Sequence, residues 1–181
     1  DIEEKTVFNK ENVFIFINEQ PEDNWGVKGG MPLSDINWCF IFISERMFFM
    51  DELLEFLKKN PVFFLATDDN GQPRVRPFGF HMIFDGKFYM VTANVKKVYN
   101  QIKNNPKLEF CAMAPDTHYV RVTGEAVLDD DNTEAKKKVF EIMPDLLKLY
   151  GSAENPAMSV FYLKNISATM ASLTEPERKI I

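Results

Sequence analysis

Two short stretches carry residues whose types and spacing can do chemistry. Arg74 and Arg76 stand two apart in Pro73-Arg74-Val75-Arg76-Pro77-Phe78, and Lys96 and Lys97 stand together in Thr92-Ala93-Asn94-Val95-Lys96-Lys97. In the second stretch a strand hands over to a helix. Val95, Val98, Tyr99 and Ile102 fall at i, i+3, i+4 and i+7, Asn94 is a suitable N-cap, and Pro106 stops the helix after Asn105. Both lysines then lie in the first turn. A helix N-terminus already carries about half a positive charge, so each lysine there costs a few tenths to about 1 kcal/mol. A phosphate held by both lysines, the free N–H groups and an arginine of a neighbouring strand turns that conflict into a binding site. The alternative is two solvated lysines without a ligand. Residues two apart on a strand face one side, so Arg74 and Arg76 are expected to share a face.

The elements that must position these residues follow from local signals. Asp51 caps a helix with Leu53, Leu54 and Leu57 on one face, and Asn60-Pro61 ends it. A strand over residues 62–67 meets the hairpin turn Asn70-Gly71, a return strand spans 74–84, and Asp85-Gly86 turns the chain into a strand over 87–92. Strands over 108–113 and 119–128 flank a turn at Pro115-Asp116. Asp131, the last of three acids, caps a helix over 133–143, with Glu134 completing a capping box. A shorter helix follows through Tyr150, closed by Gly151. Strands over 158–163 and 166–173 turn at Lys164-Asn165, and residues 174–181 read as a tail. Seven mostly sequential strands, with helices only at crossovers, predict a mainly β (α+β) domain built as an antiparallel barrel. Pro73 and Pro77 cannot donate to a ladder, so their strand is expected at an edge, bulged or split there.

The bulk numbers exclude several classes of function. With 181 residues and 45% apolar content, the chain suits one domain of ordinary size, or one domain plus an appendage. Residues 1–49 hold four bases against nine acids, and residues 50–181 hold 17 bases against 18 acids. A nearly neutral main domain without a basic run is a poor partner for nucleic acid. The longest apolar run, Trp38 to Ile43, falls far short of the ~20 residues of a membrane span, and the first residues are too acidic for a signal peptide. No membrane association and a cytoplasmic location are expected. Cys39 and Cys111 lie in unrelated contexts and are expected as buried free thiols; with His81 and His118 the only histidines, no metal centre is expected.

Residues 12–18 are a strand by composition, and a turn-rich stretch follows over 20–30. The strand, the acidic turn and Asn24-Trp25-Gly26-x-x-Gly29 resemble the C-terminal half of the 4-oxalocrotonate tautomerase family over residues 3–35. Catalysis in that family depends on an N-terminal proline, whereas this chain begins Asp1-Ile2, so no tautomerase activity is expected. Residues 1–49 are expected as an appendage, packed either on the main domain or on a second subunit.

Residues 50–173 resemble the FMN-binding split-barrel proteins related to pyridoxamine 5′-phosphate oxidase. The resemblance rests on the order and spacing of several motifs. These are Gly71-x-Pro73-x-x-Arg76, then Val91-Thr92 followed by Lys96-Lys97 and Ile102-x-x-Asn105-Pro106, and then Tyr119-Val120-Arg121-Val122-x-Gly124. It implies FMN as cofactor, with Arg76, Lys96, Lys97, Val91 and Thr92 around its phosphate. It also implies Pro77 and Phe78 through His81 lying along the ring system, and Tyr119 standing where the family often has a glutamine. A homodimer with FMN between the subunits and a small-molecule substrate follow from it. Arg74 is left as a helper or a surface charge, and His81 as a core residue or a participant. The tryptophan-glycine stretch and Arg-x-His with which the oxidases grip pyridoxal phosphate have no counterpart here. The function implied is therefore an FMN-dependent oxidoreductase acting on a small-molecule acceptor, not a true pyridoxamine phosphate oxidase. A non-catalytic flavin- or haem-binding stress protein is the alternative.

Overall fold

The computed structural model describes residues 50–181 throughout and, before them, the strands Lys5–Lys10 (β1), Val13–Ile17 (β2), Gly26–Val27 (β3) and Met31–Pro32 (β4). The chain divides into two compact units, residues 1–50 and 51–181. In the first, β1 pairs antiparallel with β2, and β3 with β4. Strand β2 falls where composition placed one. Trp25, the acidic turn before it and Cys39 lie outside the described residues.

In the second unit a helix over residues 50–59 (α1) buries Leu53 and Leu57 completely. Asp51 lies inside this helix rather than at its cap. Phe63–Asp69 (β5) and Gln72–Phe78 (β6) form a hairpin whose turn residues Asn70 and Gly71 take φ of 54° and 87°. Met82–Phe84 (β7) and Lys87–Ala93 (β8) form another through Asp85 and Gly86, at 49° and 67°. Two consecutive positive φ values define the turn that matches strand twist, which explains why Asn-Gly and Asp-Gly occupy these positions. Lys97–Asn104 (α2), Lys107–Met113 (β9) and Tyr119–Leu128 (β10) follow, then Thr133–Ile142 (α3), Leu146–Tyr150 (α4), Met158–Ala171 (β11) and Arg178–Lys179 (β12).

The strands run in the order β6-β5-β9-β10-β11-β8-β7, with β12 paired to β11. The two edge strands, β6 and β7, are consecutive in the chain and separated only by Gly79, Phe80 and His81. Four Cα steps reach at most about 14 Å. In a flat sheet those edges would stand about 29 Å apart at ~4.8 Å per strand. The sheet therefore curls until its edges meet. Phe88 on β8 and Phe110 on β9, three strands apart in the sheet, bring their ring centroids to 5.7 Å across the interior. Among the described residues no ladder joins β6 to β7. The result is the antiparallel split barrel expected, with Pro73 and Pro77 on an edge strand whose outer N–H row has no neighbour to serve.

Phe63, Phe110, Phe88 and Phe161 fill the interior, and each fully buried ring contributes about 1.5–3 kcal/mol. On the opposite side of β8 and β11, Tyr89, Met158 and Val160 pack beneath Val139 and Phe140 of α3 and Tyr150 of α4.

Four expectations are corrected. The strand expected over 74–84 is two strands, β6 and β7, interrupted at residues 79–81 beyond the prolines. Lys164-Asn165 is not a hairpin. β11 runs through it over 14 residues, with Asn165 at φ 52° and a register slip opposite, between Thr123 and Glu125. Gly124 sits in that slip because a Cβ there would meet the Lys164 carbonyl oxygen at 3.3 Å. The cap of α3 is Asn132, whose side chain accepts from the Ala135 N–H at 2.9 Å, not Asp131. Asp129 and Asp130 instead accept the hydroxyls of Tyr89 and Tyr99, at 2.6 and 2.8 Å, tying the loop to β8 and α2. Finally, residues 174–181 are no tail: β12 pairs with β11, Arg178 pairs with Glu52 of α1, and Ile180 is 1% exposed.

Candidate functional site

Arg76 lies on edge strand β6 opposite Leu65, and the chain's antiparallel pairing puts Arg74 opposite Thr67 on the same face. Their surroundings differ. Arg74 is exposed and pairs with Asp69 at 3.2 Å. Arg76 is half-buried, and every acceptor it meets is neutral. Its Nη1 donates to the Leu65 carbonyl oxygen at 3.2 Å and to Thr67 Oγ1 at 2.6 Å, and its Nη2 donates to Gln101 Oε1 at 2.8 Å. Thr67 Oγ1 donates in turn to Gln101 Oε1 at 2.7 Å, and both residues are buried. Three of the guanidinium's five donors are used, so two remain for a ligand. Burial first, and Arg74 second, pull the Arg76 pKa below its ordinary value, while Asp69 opposes them. Among the described residues the positive charge has no counter-ion within 4.0 Å.

Gln101 belongs to α2, and that helix begins two residues later than its apolar spacing suggested. Asn94 does not cap it: the Asn94 Nδ2 donates to the Pro156 carbonyl oxygen at 2.7 Å. Lys96 becomes the N-cap and Lys97 the first helical residue, and Lys96 supplies no capping side-chain bond. The Lys96 and Tyr99 N–H groups donate to the Ala93 and Lys96 carbonyl oxygens, each at 3.0 Å, so in the first turn those of Lys97 and Val98 are left to solvent or to a ligand. Val95 is 81% exposed rather than part of the buried stripe, which consists of Val98, Gln101 and Ile102. Lys96 and Lys97 are both exposed, and among the described residues neither has a carboxylate within 4.0 Å. Lys97 and Gln101, four apart, are neighbours on one side of α2. The arginine, the uncapped helix start and a lysine are thereby brought to one place.

Thr92, near the end of β8, is 2% exposed and its hydroxyl has no partner among the described residues. Its cross-strand neighbour Ser159 is buried with an unpartnered hydroxyl as well. Val91 points to the other side of β8, against the core beneath α3 and α4. Phe78 and His81 are part of the aromatic interior. Phe78 lies 6.0 Å from Phe63, and His81 stacks on Phe88 at 5.6 Å and 4° with its Nδ1 buried and unbonded. Burial lowers the His81 pKa, so the ring is neutral at neutral pH. Pro77 pairs with Phe64 on the outer face. Tyr119 opens β10 opposite Met113, three strands and about 14 Å from β6. Within one chain it is not brought to Arg76.

Three further features complete the region. Phe64, Val75 and Met113 leave an apolar outer face on β5, β6 and β9, each more than half exposed. Cys111 beside them is half-buried rather than buried, and burial raises its thiol pKa. An open trough of about 490 Å³ lined by Ala66, Glu109 and Thr123 includes none of Arg76, Lys96 or Lys97. The residues that sequence reasoning missed are Thr67 and Gln101. The usable signal was Gln101 itself, which at i+3 from Val98 interrupts an apolar stripe.

A curled antiparallel sheet whose edge strands β6 and β7 meet at an unpaired seam defines a split-barrel protein. Residues 49–168 match the family model described as pyridoxamine 5′-phosphate oxidase. The chain belongs to that family. It is 38% identical to a NimC/NimA family protein from Clostridium acetobutylicum, with 72% of this chain and 92% of that one covered and a TM-score of 0.66. General stress protein 26 from Bacillus anthracis shares the fold at 18% identity, covering 71% and 96% of the two chains, TM-score 0.57. HutZ, the haem storage protein of Vibrio cholerae, does so at 15% identity, covering 64% and 91%, TM-score 0.51. No curated protein matches the chain. The matched span leaves residues 1–48 outside, and no comparison supports the tautomerase resemblance. Among the described residues no helix is long and apolar enough to cross a membrane.

Proposed function

We propose that residues 50–181 bind FMN and pass electrons or hydride through it to a small-molecule acceptor other than pyridoxamine 5′-phosphate. The observation that carries this reading is the Arg76 guanidinium, held among the described residues by neutral acceptors alone, beside an uncapped helix start whose two lysines have no described carboxylate within 4.0 Å. A phosphate dianion supplies the missing negative charge. Arg76 donates its two spare N–H groups, the first turn of α2 donates backbone N–H groups, and Lys96 and Lys97 add screened positive charge. The unpartnered Thr92 hydroxyl supports the fit, since a buried hydroxyl left unbonded costs free energy that a ligand contact relieves.

Bound FMN supplies the redox chemistry; the protein supplies anchoring, orientation and exclusion of water. Pro77 and Tyr119 lie on the outer side of the sheet, with the exposed Phe64, Val75 and Met113 around them. A second copy of the chain covering that face completes a site in which Tyr119 is too far from Arg76 within one chain. The active form proposed is therefore a homodimer. Neutral His81, stacked in the interior, offers an uncharged edge near the seam.

The test is an absorption spectrum of purified protein after incubation with FMN, followed by anaerobic addition of NADH or NADPH and then of ferricyanide or a small quinone. Flavin bands that bleach and return support the oxidoreductase. Flavin bands that neither nucleotide bleaches favour a binding protein, and a Soret band on haem addition with no flavin uptake overturns the FMN reading.

A further inference from the structure

Behind Arg76 stands a buried polar pair with no other evident task. We propose that Gln101 and Thr67 are positioning residues that fix the Arg76 guanidinium with its charge uncompensated, making the site selective for a phosphate-bearing ligand over its dephosphorylated form. This rests on the FMN-phosphate reading above.

Gln101 lies between Val98 and Ile102 on the buried stripe of α2, where an apolar residue would satisfy packing. A buried amide at 5% exposure is costly unless bonded, and the Gln101 Oε1 accepts from both Thr67 Oγ1 and Arg76 Nη2. Thr67 closes the triangle by accepting from Arg76 Nη1. With the Leu65 carbonyl the three acceptors hold the guanidinium at both of its terminal nitrogens, which fixes its plane before any ligand arrives. All three are neutral. Glutamate at 101 or aspartate at 67 would have the same reach and would pair the charge internally, as Asp69 does for Arg74 on the same strand and face. A fixed and unpaired guanidinium attracts a dianion strongly and a neutral ribityl hydroxyl weakly, so the brace acts on ligand discrimination rather than on flavin binding in general.

The experiment compares Gln101→Leu, Gln101→Glu and Thr67→Val with the wild type in the full chain. Dissociation constants for FMN and riboflavin are read from quenching of flavin fluorescence, and the thermal midpoint of each ligand-free protein is recorded. Gln101→Leu and Thr67→Val should weaken FMN about tenfold, the worth of one charge-assisted hydrogen bond, with riboflavin unchanged. Gln101→Glu should weaken FMN about a hundredfold and erase the preference for it, because its carboxylate takes the guanidinium that the phosphate needs. Equal weakening of both ligands, with a lowered midpoint, would make the pair merely structural and overturn the proposal. If the wild type prefers FMN and all variants keep that preference, the brace is refuted while the phosphate site stands. If the wild type itself does not distinguish FMN from riboflavin, the phosphate reading fails and the brace with it.

Discussion

Arg76→Met should abolish tight FMN binding while leaving the ligand-free fold nearly as stable as before. Arg76 has two N–H donors not used by Leu65, Thr67 or Gln101, and each charge-assisted bond is worth about 1.5–3 kcal/mol, for a total of about 3–6 kcal/mol. That corresponds to a loss of affinity between about a hundredfold and ten-thousandfold. The effect on the ligand-free protein runs differently. Methionine forfeits three hydrogen bonds, but it also removes a partly desolvated cation crowded by Arg74, and the Thr67–Gln101 bond survives. These opposing contributions should leave stability within about 1 kcal/mol of the wild type. Titration of flavin fluorescence gives the affinity and differential scanning fluorimetry the stability. At a hundred times the wild-type Kd, FMN should stabilise the wild type by about 2.7 kcal/mol and the variant by no more than about 0.4 kcal/mol. An FMN affinity changed by less than about threefold in a folded variant would refute the assignment of Arg76.

Four other outcomes are expected. Replacing Lys96 and Lys97 together by alanine should weaken FMN by several kcal/mol at most and reduce the salt dependence of binding, because both lysines are exposed and screened; unchanged flavin content in the double variant would argue against the site. Phe64→Glu should shift the protein to monomer in analytical ultracentrifugation and lower flavin retention, since a charge would then stand on the apolar outer face; an unaltered dimer would place the interface elsewhere. His118, between Asp116 and Glu175 at 3.2 and 3.4 Å, has its pKa raised above 6.5, with Asp116 the leading cause. A raised folded-state pKa means that its stabilisation is complete below the unfolded value and is lost as pH rises through the folded one. Thermal midpoints should therefore show a fall over that window that is absent in His118→Gln, and an NMR titration of the ring that gave a pKa at or below 6.5 would contradict this. Ile180→Ala should cost about 2–5 kcal/mol in urea unfolding, because the side chain is buried; a neutral effect would restore the view of residues 174–181 as a tail.

What could be read from the sequence was what neighbours in the chain decide. Asn70-Gly71 and Asp85-Gly86 fixed two hairpins because both positive φ values are demanded within the turn itself. Pro73 and Pro77 announced an edge strand because a missing donor is a local fact. The misreadings came where a distant partner outbid a local one. Asn94 has the right chemistry and position for a cap, but the Pro156 carbonyl, 62 residues away, takes its side chain. The tyrosines of other elements, Tyr89 and Tyr99, likewise take Asp129 and Asp130 out of the turn, while Asn132, directly before Thr133, caps α3 in place of Asp131. Lys164-Asn165 has turn composition that serves equally for a bulge, and only the register against Gly124 distinguishes the two. In the candidate site, Lys96 and Lys97 were legible in the sequence as a conflict of charges, and Arg76 through the family resemblance. Thr67 and Gln101 were not, because their role exists only once β5, β6 and α2 are packed together.

A parallel titration of the ligand-free wild type with FMN and with riboflavin tests the central claim most directly. One FMN per chain, bound at least about a hundredfold more tightly than riboflavin, is the predicted result, since the two free donors of Arg76 alone are worth about that ratio. Equal affinity for the two flavins, or no uptake of either, would contradict it.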